Sequence, residues 1–279
     1  MRLIRVLLAA CVVACLSTCI CGSALAAQTA SLYASFSPER LGAHATIFLG
    51  FRISSIPPAS QSPLTNVSVL LPGEIGLATS GLGLENCRLH TLEERGAYGC
   101  PADALMGRGT ATAEISIGGE TIAESAQIEV FSAPVREGRL ALWVFANAHT
   151  PVSAEPVFPA AVVSAPSPYG DAIDAAIPLI PTLPGAPDVA VTRFHMALGA
   201  TARGPDHFVY YKSVRGRRVG YAPKGLLLPS ACPRGGFPFE AQFVFQDETN
   251  ATARTTVPCP ARQPRRPTAQ SHPRTSSSP

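Results

Sequence analysis

Charge is scarce in this chain, at 22 basic and 19 acidic residues in 279. Five of the cations (Arg2, Arg5, Arg265, Arg266 and Arg274) lie in the terminal stretches. The body between them holds 17 basic against 19 acidic residues. Such a balance carries no nucleic-acid footprint, so no nucleic-acid partner is expected. No window sustains a 3.6-residue apolar period, which argues against a helical bundle. There is no GxSxG, HExxH, P-loop or EF-hand pattern to nominate a catalytic residue. The six histidines (His44, His90, His149, His195, His207 and His272) stand singly. No CxxC pair exists, and the Cys87/Cys100 spacing has no matching H-x3–5-H partner, so neither a metal nor a cofactor is expected. "GLGLEN" from Gly81 holds half a dinucleotide fingerprint, but a cysteine and a short loop follow where a helix is needed. A Ser/His/Asp site assembled from distant segments is recognised by geometry and not by spacing. A secreted hydrolase on a β scaffold therefore stays open as the alternative to a non-catalytic protein.

What the chain does have begins at its first residues. Arg2 and Arg5 precede an uncharged stretch from Val6 to Gly22, and Ala24-Leu25-Ala26 follows with the small-x-small pattern of a signal-peptidase site. Residues 1–26 are read as a signal peptide. The alternatives are an uncleaved anchor, since the run is at the short edge of spanning length, and lipidation at Cys19 after Leu16-Ser17-Thr18. Cleavage removes Cys11, Cys15, Cys19 and Cys21 and leaves Cys87, Cys100, Cys232 and Cys259. An even number of cysteines in an exported chain reads as disulfides. Four allow three pairings. The two clusters are far apart and each closes a local loop, so Cys87–Cys100 and Cys232–Cys259 are expected. The mature chain is then secreted or held at the cell envelope, with no transmembrane segment.

Strands announce themselves by period-two alternation. Ile47, Leu49, Phe51 and Ile53 share one face, as do Ala111, Ala113, Ile115 and Ile117, and likewise Phe237, Phe239, Ala241, Phe243 and Phe245. "RLALWVFANA", with the sole tryptophan Trp143, is apolar on both faces and reads as a central strand. Further strands fit at 65–71, 121–131, 157–165, 171–180, 188–199, 206–213, 218–228 and 250–257. Thr91-Leu92-Glu93-Glu94 is a capping-box pattern for a single helical turn inside the first cysteine loop. With 23 glycines and 27 prolines as punctuation, the expectation is an all-β, disulfide-stapled β-sandwich, one large or two stacked, over residues 28–262. A seam, if there is one, falls in the proline-rich connector at 178–187. The tail at 263–279 has no apolar surface to bury and reads as disordered. Asn66-Val67-Ser68 and Asn250-Ala251-Thr252 match the glycosylation sequon.

One stretch concentrates charge. In "HFVYYKSVRGRRVGYAPKG" Lys212, Arg215, Arg217, Arg218 and Lys224 surround a glycine turn, interleaved with Tyr210, Tyr211 and Tyr221. Cations beside aromatics suit an anionic cell-wall polymer or carbohydrate. The bland counterpart is a solvated hairpin whose charges protect an edge. The sequence places any binding surface here and not in a buried pocket.

Three stretches carry a resemblance: "LTNVSVLLPGEIGLATSGLGLENC…GCPADALMGRGTATAEI", "AAIPLIPTLPGAPDVAVTRFHMALG" and "LLLPSACPRGGFPFEAQFVFQDETNATARTTVPCP". In this order they resemble a family of uncharacterised exported proteins common in high-GC Gram-positive bacteria. Its members read LPxGL…C…GCP…GxGxA, then IPxIPT, then CPxGGFPFxAxFxFxDG…VPCP. The resemblance spans nearly all of residues 60–260 and implies export and a β-rich body, with no activity attached. The chain departs at Glu248, where the pattern has glycine, so a different turn is expected before Asn250.

Overall fold

The computed structural model describes residues 28–55, 61–77, 81–117, 120–136, 138–150, 153–182, 184–199 and 210–260. The segment read as a signal peptide, with its four cysteines, and the tail at 263–279 lie outside these residues. The first half of the chain supplies β1 (Gln28–Ser37), β2 (His44–Ser55), β3 (Leu64–Pro72), β4 (Gly76–Leu77), α1 (Leu89–Arg95), β5 (Leu105–Ile117) and β6 (Glu120–Arg136). The second supplies β7 (Arg139–Ala148), β8 (Val157–Ser164), β9 (Tyr169–Ala176), β10 (Ala190–Gly199), β11 (Tyr210–Val214), β12 (Arg217–Tyr221), β13 (Leu226–Leu227), β14 (Phe237–Phe245) and β15 (Asn250–Val257).

Thirteen of these strands form one antiparallel sheet, and β11 and β12 make a separate hairpin. Around the sheet the order is β1-β2-β10-β5-β6-β7-β8-β9-β3-β14-β15, with β13 and β4 continuing from the His44 end of β2. β1 lies alongside β15, so the sheet nearly closes on itself. Because every pairing in this series of eleven is antiparallel, β1 and β15 must run in the same direction. The all-β, stapled body is as expected, at 61% strand and 7% helix. The facing layers of a sandwich are here two walls of one curled sheet. Strands on either side of the 178–187 connector pair within it, since β10 inserts between β2 and β5.

Residues opposite one another in an antiparallel pair point to the same side, so the inward lanes can be followed around the wall. Leu32, Phe51, Phe194 and Ala111 are in register from β1 through β2 and β10 to β5, and Ala126 and Ala148 continue the row on β6 and β7. One wall is filled with rings. Phe36 meets Phe237 edge-on at 5.3 Å, Phe51 meets Phe243 at 5.0 Å, and Phe51 stacks on Phe194 at 5.1 Å. The opposite wall is alanine-rich. Gly107 and Gly109 let β5 approach β10 closely, because a Cβ on Gly109 would collide with the His195 carbonyl oxygen.

The two ends differ. At the capped end, where β14 begins and β15 finishes, both disulfides form as expected: Cys87–Cys100 and Cys232–Cys259, with Cα–Cα distances of 5.1 and 6.0 Å. The first closes a loop containing α1, which packs over the outer face of β7. Trp143 Nε1 donates to the Cys87 carbonyl at 3.1 Å, and Gly96 lies against Phe145. That cover explains why β7 is apolar on both faces: Leu142 and Val144 point inward while Trp143 and Phe145 are buried under the loop. α1 begins two residues before the capping-box threonine, after Arg88 and with no side-chain cap. The fully buried Leu92, not the cap, holds it in place. The opposite end, the base, carries the connector. Val189 N donates to Ile180 O at 2.9 Å, and Gln61 Nε2 donates to Val191 O at 2.6 Å.

Candidate functional site

Alanine against phenylalanine does not fill the interior. Inside the curled sheet an apolar cavity of about 150 Å³ remains, lined by inward residues of nine strands and by Ile177, Ile180 and Val189 at the base. A second, of about 50 Å³, lies toward the capped end. Leu49, Leu142, Ile173 and Leu198 border both, so the two are stacked along one axis. The larger has the volume of an engineered cavity of about 150 Å³ that stays dry and holds benzene in another protein.

Among the described residues lining the larger cavity, a single polar side chain occurs: Glu124 of β6. It occupies the inward lane shared with Ala126, Ile128 and Val130, directly across from Ala113 of β5. Glu124 is 6% exposed, and its Oε1 is buried with no hydrogen-bond partner. Gln28, on the inward lane of β1 at the same end, is also buried with both amide atoms unpartnered. Buried polar groups are ordinarily paired. The base thus carries unused hydrogen-bonding capacity next to apolar space.

The basic stretch forms a hairpin by itself. Arg215 and Gly216 make its two-residue turn with φ of 51° and 74°, the positive pair that a type I′ turn requires. Arg215, Arg217, Arg218 and Lys224 are exposed, as are Val214 and Val219. Arg218 lies 4.1 Å over the Tyr211 ring and Lys212 5.6 Å over Tyr221. Tyr210 has a different role from the one its position in the motif suggests. It is fully buried and its hydroxyl donates to the Met106 carbonyl at 3.0 Å, so it anchors the hairpin to the barrel. Burial raises its pKa and that of Tyr221. The structure therefore brings Tyr211, Lys212, Arg215, Arg217 and Arg218 together on a projecting ribbon, with Tyr210 and Tyr221 at its root.

On the outer wall Glu240 is buried within a polar network. It accepts from Gln242 Nε2 at 2.8 Å, Arg254 Nε at 2.6 Å and the Tyr169 hydroxyl at 3.1 Å. The Gln242 bond first, and then those from Arg254 and Tyr169, hold its carboxyl below the usual glutamate range against the opposing effect of burial. Elsewhere outside, Arg52 and Arg193 stand directly opposite each other on β2 and β10. They border a polar cleft with Glu114 and Thr112. Ser31 and His195 share a neighbouring depression without a hydrogen bond between them.

Sequence reasoning did not single out Glu124. The signal was available: an acidic residue in the apolar lane of an alternating strand. No family model, no curated protein and no solved structure matches the chain. Among the described residues no helix is long and apolar enough to cross a membrane.

Proposed function

We propose that this chain is an exported, non-catalytic binding protein whose curled sheet encloses a compartment for a small apolar molecule. The observation that carries the reading is the apolar cavity of about 150 Å³ opposite a wall of phenylalanines. Ligand sites are concave and mostly apolar, with few polar groups to set orientation, and this interior has that composition. Two disulfides suit an oxidising compartment outside the cytoplasm. The hairpin fits the same reading as a contact for an anionic wall polymer, since its exposed cations stand clear of the barrel.

The test is direct. Benzene and n-hexane are titrated into the purified protein while alanine methyl signals are followed by NMR. Shifts confined to Ala111, Ala126, Ala146 and Ala160, with a rise in thermal midpoint as ligand binding demands, support the compartment. Signals unmoved near saturation with both probes would remove it.

A further inference from the structure

We propose that Glu124 is the head-group acceptor of this compartment, so that its ligand is a slender apolar molecule ending in one hydrogen-bond donor, a primary alcohol or an amine. The inference rests on the reading of the interior as a ligand compartment. Its own support is Glu124, the one polar side chain among the described residues lining the cavity, whose Oε1 is buried and satisfied by no group of the described protein.

The placement gives the ligand a direction. Glu124 sits at the base end of β6, four residues into the strand and across from Ala113. From there the cavity runs past the alanine row toward Leu49, Leu142 and Leu198, which it shares with the smaller cavity above. A donor at the base and a tail pointing to the capped end fit that axis. Oε1 is an acceptor without a donor, so hydroxyl and amine ends are matched to it. A carboxylate-ended ligand would place two acceptors face to face. An unadorned hydrocarbon would leave Oε1 as unsatisfied as in the empty protein, which disfavours it relative to a donor-ended chain of equal length. The volume, of the order that accommodates a benzene ring, sets the scale at a six-carbon chain or a single ring.

Calorimetric titration with hexan-1-ol, hexan-1-amine, n-hexane and hexanoate tests this on the full mature chain. The alcohol and the amine should each bind about tenfold more tightly than n-hexane, and hexanoate most weakly. Glu124→Ala should erase the preference while keeping n-hexane binding. Glu124→Gln, which keeps shape and an acceptor oxygen, should retain the alcohol and lose the advantage of a charged amine. Equal affinity for n-hexane and hexan-1-ol, or a preference that survives Glu124→Ala, overturns the role of Glu124 and leaves the compartment standing. If none of the four binds the wild type, the compartment falls with it.

Discussion

Filling the interior from within should stabilise the empty protein, by an amount its size predicts. A void in a packed core destabilises by about 24 cal/mol per Å³, so 150 Å³ corresponds to about 3.6 kcal/mol for the whole cavity. Ala126 is the position to alter, since it borders the cavity between Ala111 and Ala148 in the alanine row. Ala126→Leu introduces three more carbons. At about 0.8 kcal/mol per buried methylene this is worth about 2.4 kcal/mol. Ordering the leucine side chain removes about 0.5–1 kcal/mol. The net gain of about 1.5–2 kcal/mol should raise the thermal midpoint by about 3–8 °C for a domain of this size. Guanidinium unfolding supplies the free energy, read as a higher midpoint concentration at unchanged slope. Benzene should stabilise the wild type and do little for the variant. A loss of about 1–3 kcal/mol, the range for overpacking, would mean that no void exists and would refute the reasoning.

Three further outcomes are expected. Glu248 holds φ of 65° in the turn before Asn250, a conformation costing a side-chain-bearing residue about 1–2 kcal/mol; Glu248→Gly should stabilise by about 1 kcal/mol in the same unfolding assay, and a loss would show that its side chain matters more than its backbone. The carboxyl of Glu240 is held low in the folded state, so its contribution is complete above the ordinary glutamate value and is lost as pH falls from ~4 through the lower folded value. Glu240→Gln should flatten that acid limb, and unfolding midpoints at pH 7 and pH 3 for both proteins check it. Changing Arg215, Arg217 and Arg218 together to Ser should abolish retention on an anionic wall polymer without moving the thermal midpoint, and retention by the wild type should fall with salt because exposed charges are screened; retention indifferent to both would return the hairpin to a solvated tip.

Much of the wall was legible because alternation determines which face a side chain occupies. Ile47, Leu49 and Phe51, Ala111 and Ala113, and the odd phenylalanines of β14 all point inward as their spacing predicts. At Glu248, where the resemblance puts glycine, the chain has the positive φ that glycine favours. β1 was not read from the sequence, because Ala30 and Ala34 dilute the apolar lane that Leu32 and Phe36 complete. Of the strand read at 206–213 the described residues begin at Tyr210 and β11 runs to Val214, while the strand read at 218–228 divides into β12 and β13 after Tyr221. Closure of the sheet was beyond reach for a different reason. Alternation says nothing about partners, and the ring depends on pairings as distant in sequence as β2 with β10 and β3 with β14. Glu124 needed both kinds of information. The strand at 121–131 supplies its lane, but only the curled sheet shows that the lane borders a cavity.

The placement of the staples follows from the same geometry. Both disulfides sit at the capped end, where each closes a short loop and would stabilise the fold by about 3–4 kcal/mol on the chain-entropy account. The buried Tyr210 and the loop over Trp143 reinforce that end. The base has no such staple. Among the described residues it is tied by hydrogen bonds: Gln61 to Val191, the Ile177 amide to Thr65, Gln246 to Asp188 and the Asp247 amide to Ser62. Its interior faces, Glu124 and Gln28, lack partners. In this protein the cysteines fix the end away from the Glu124 carboxyl group, and hydrogen bonds and packing hold the base.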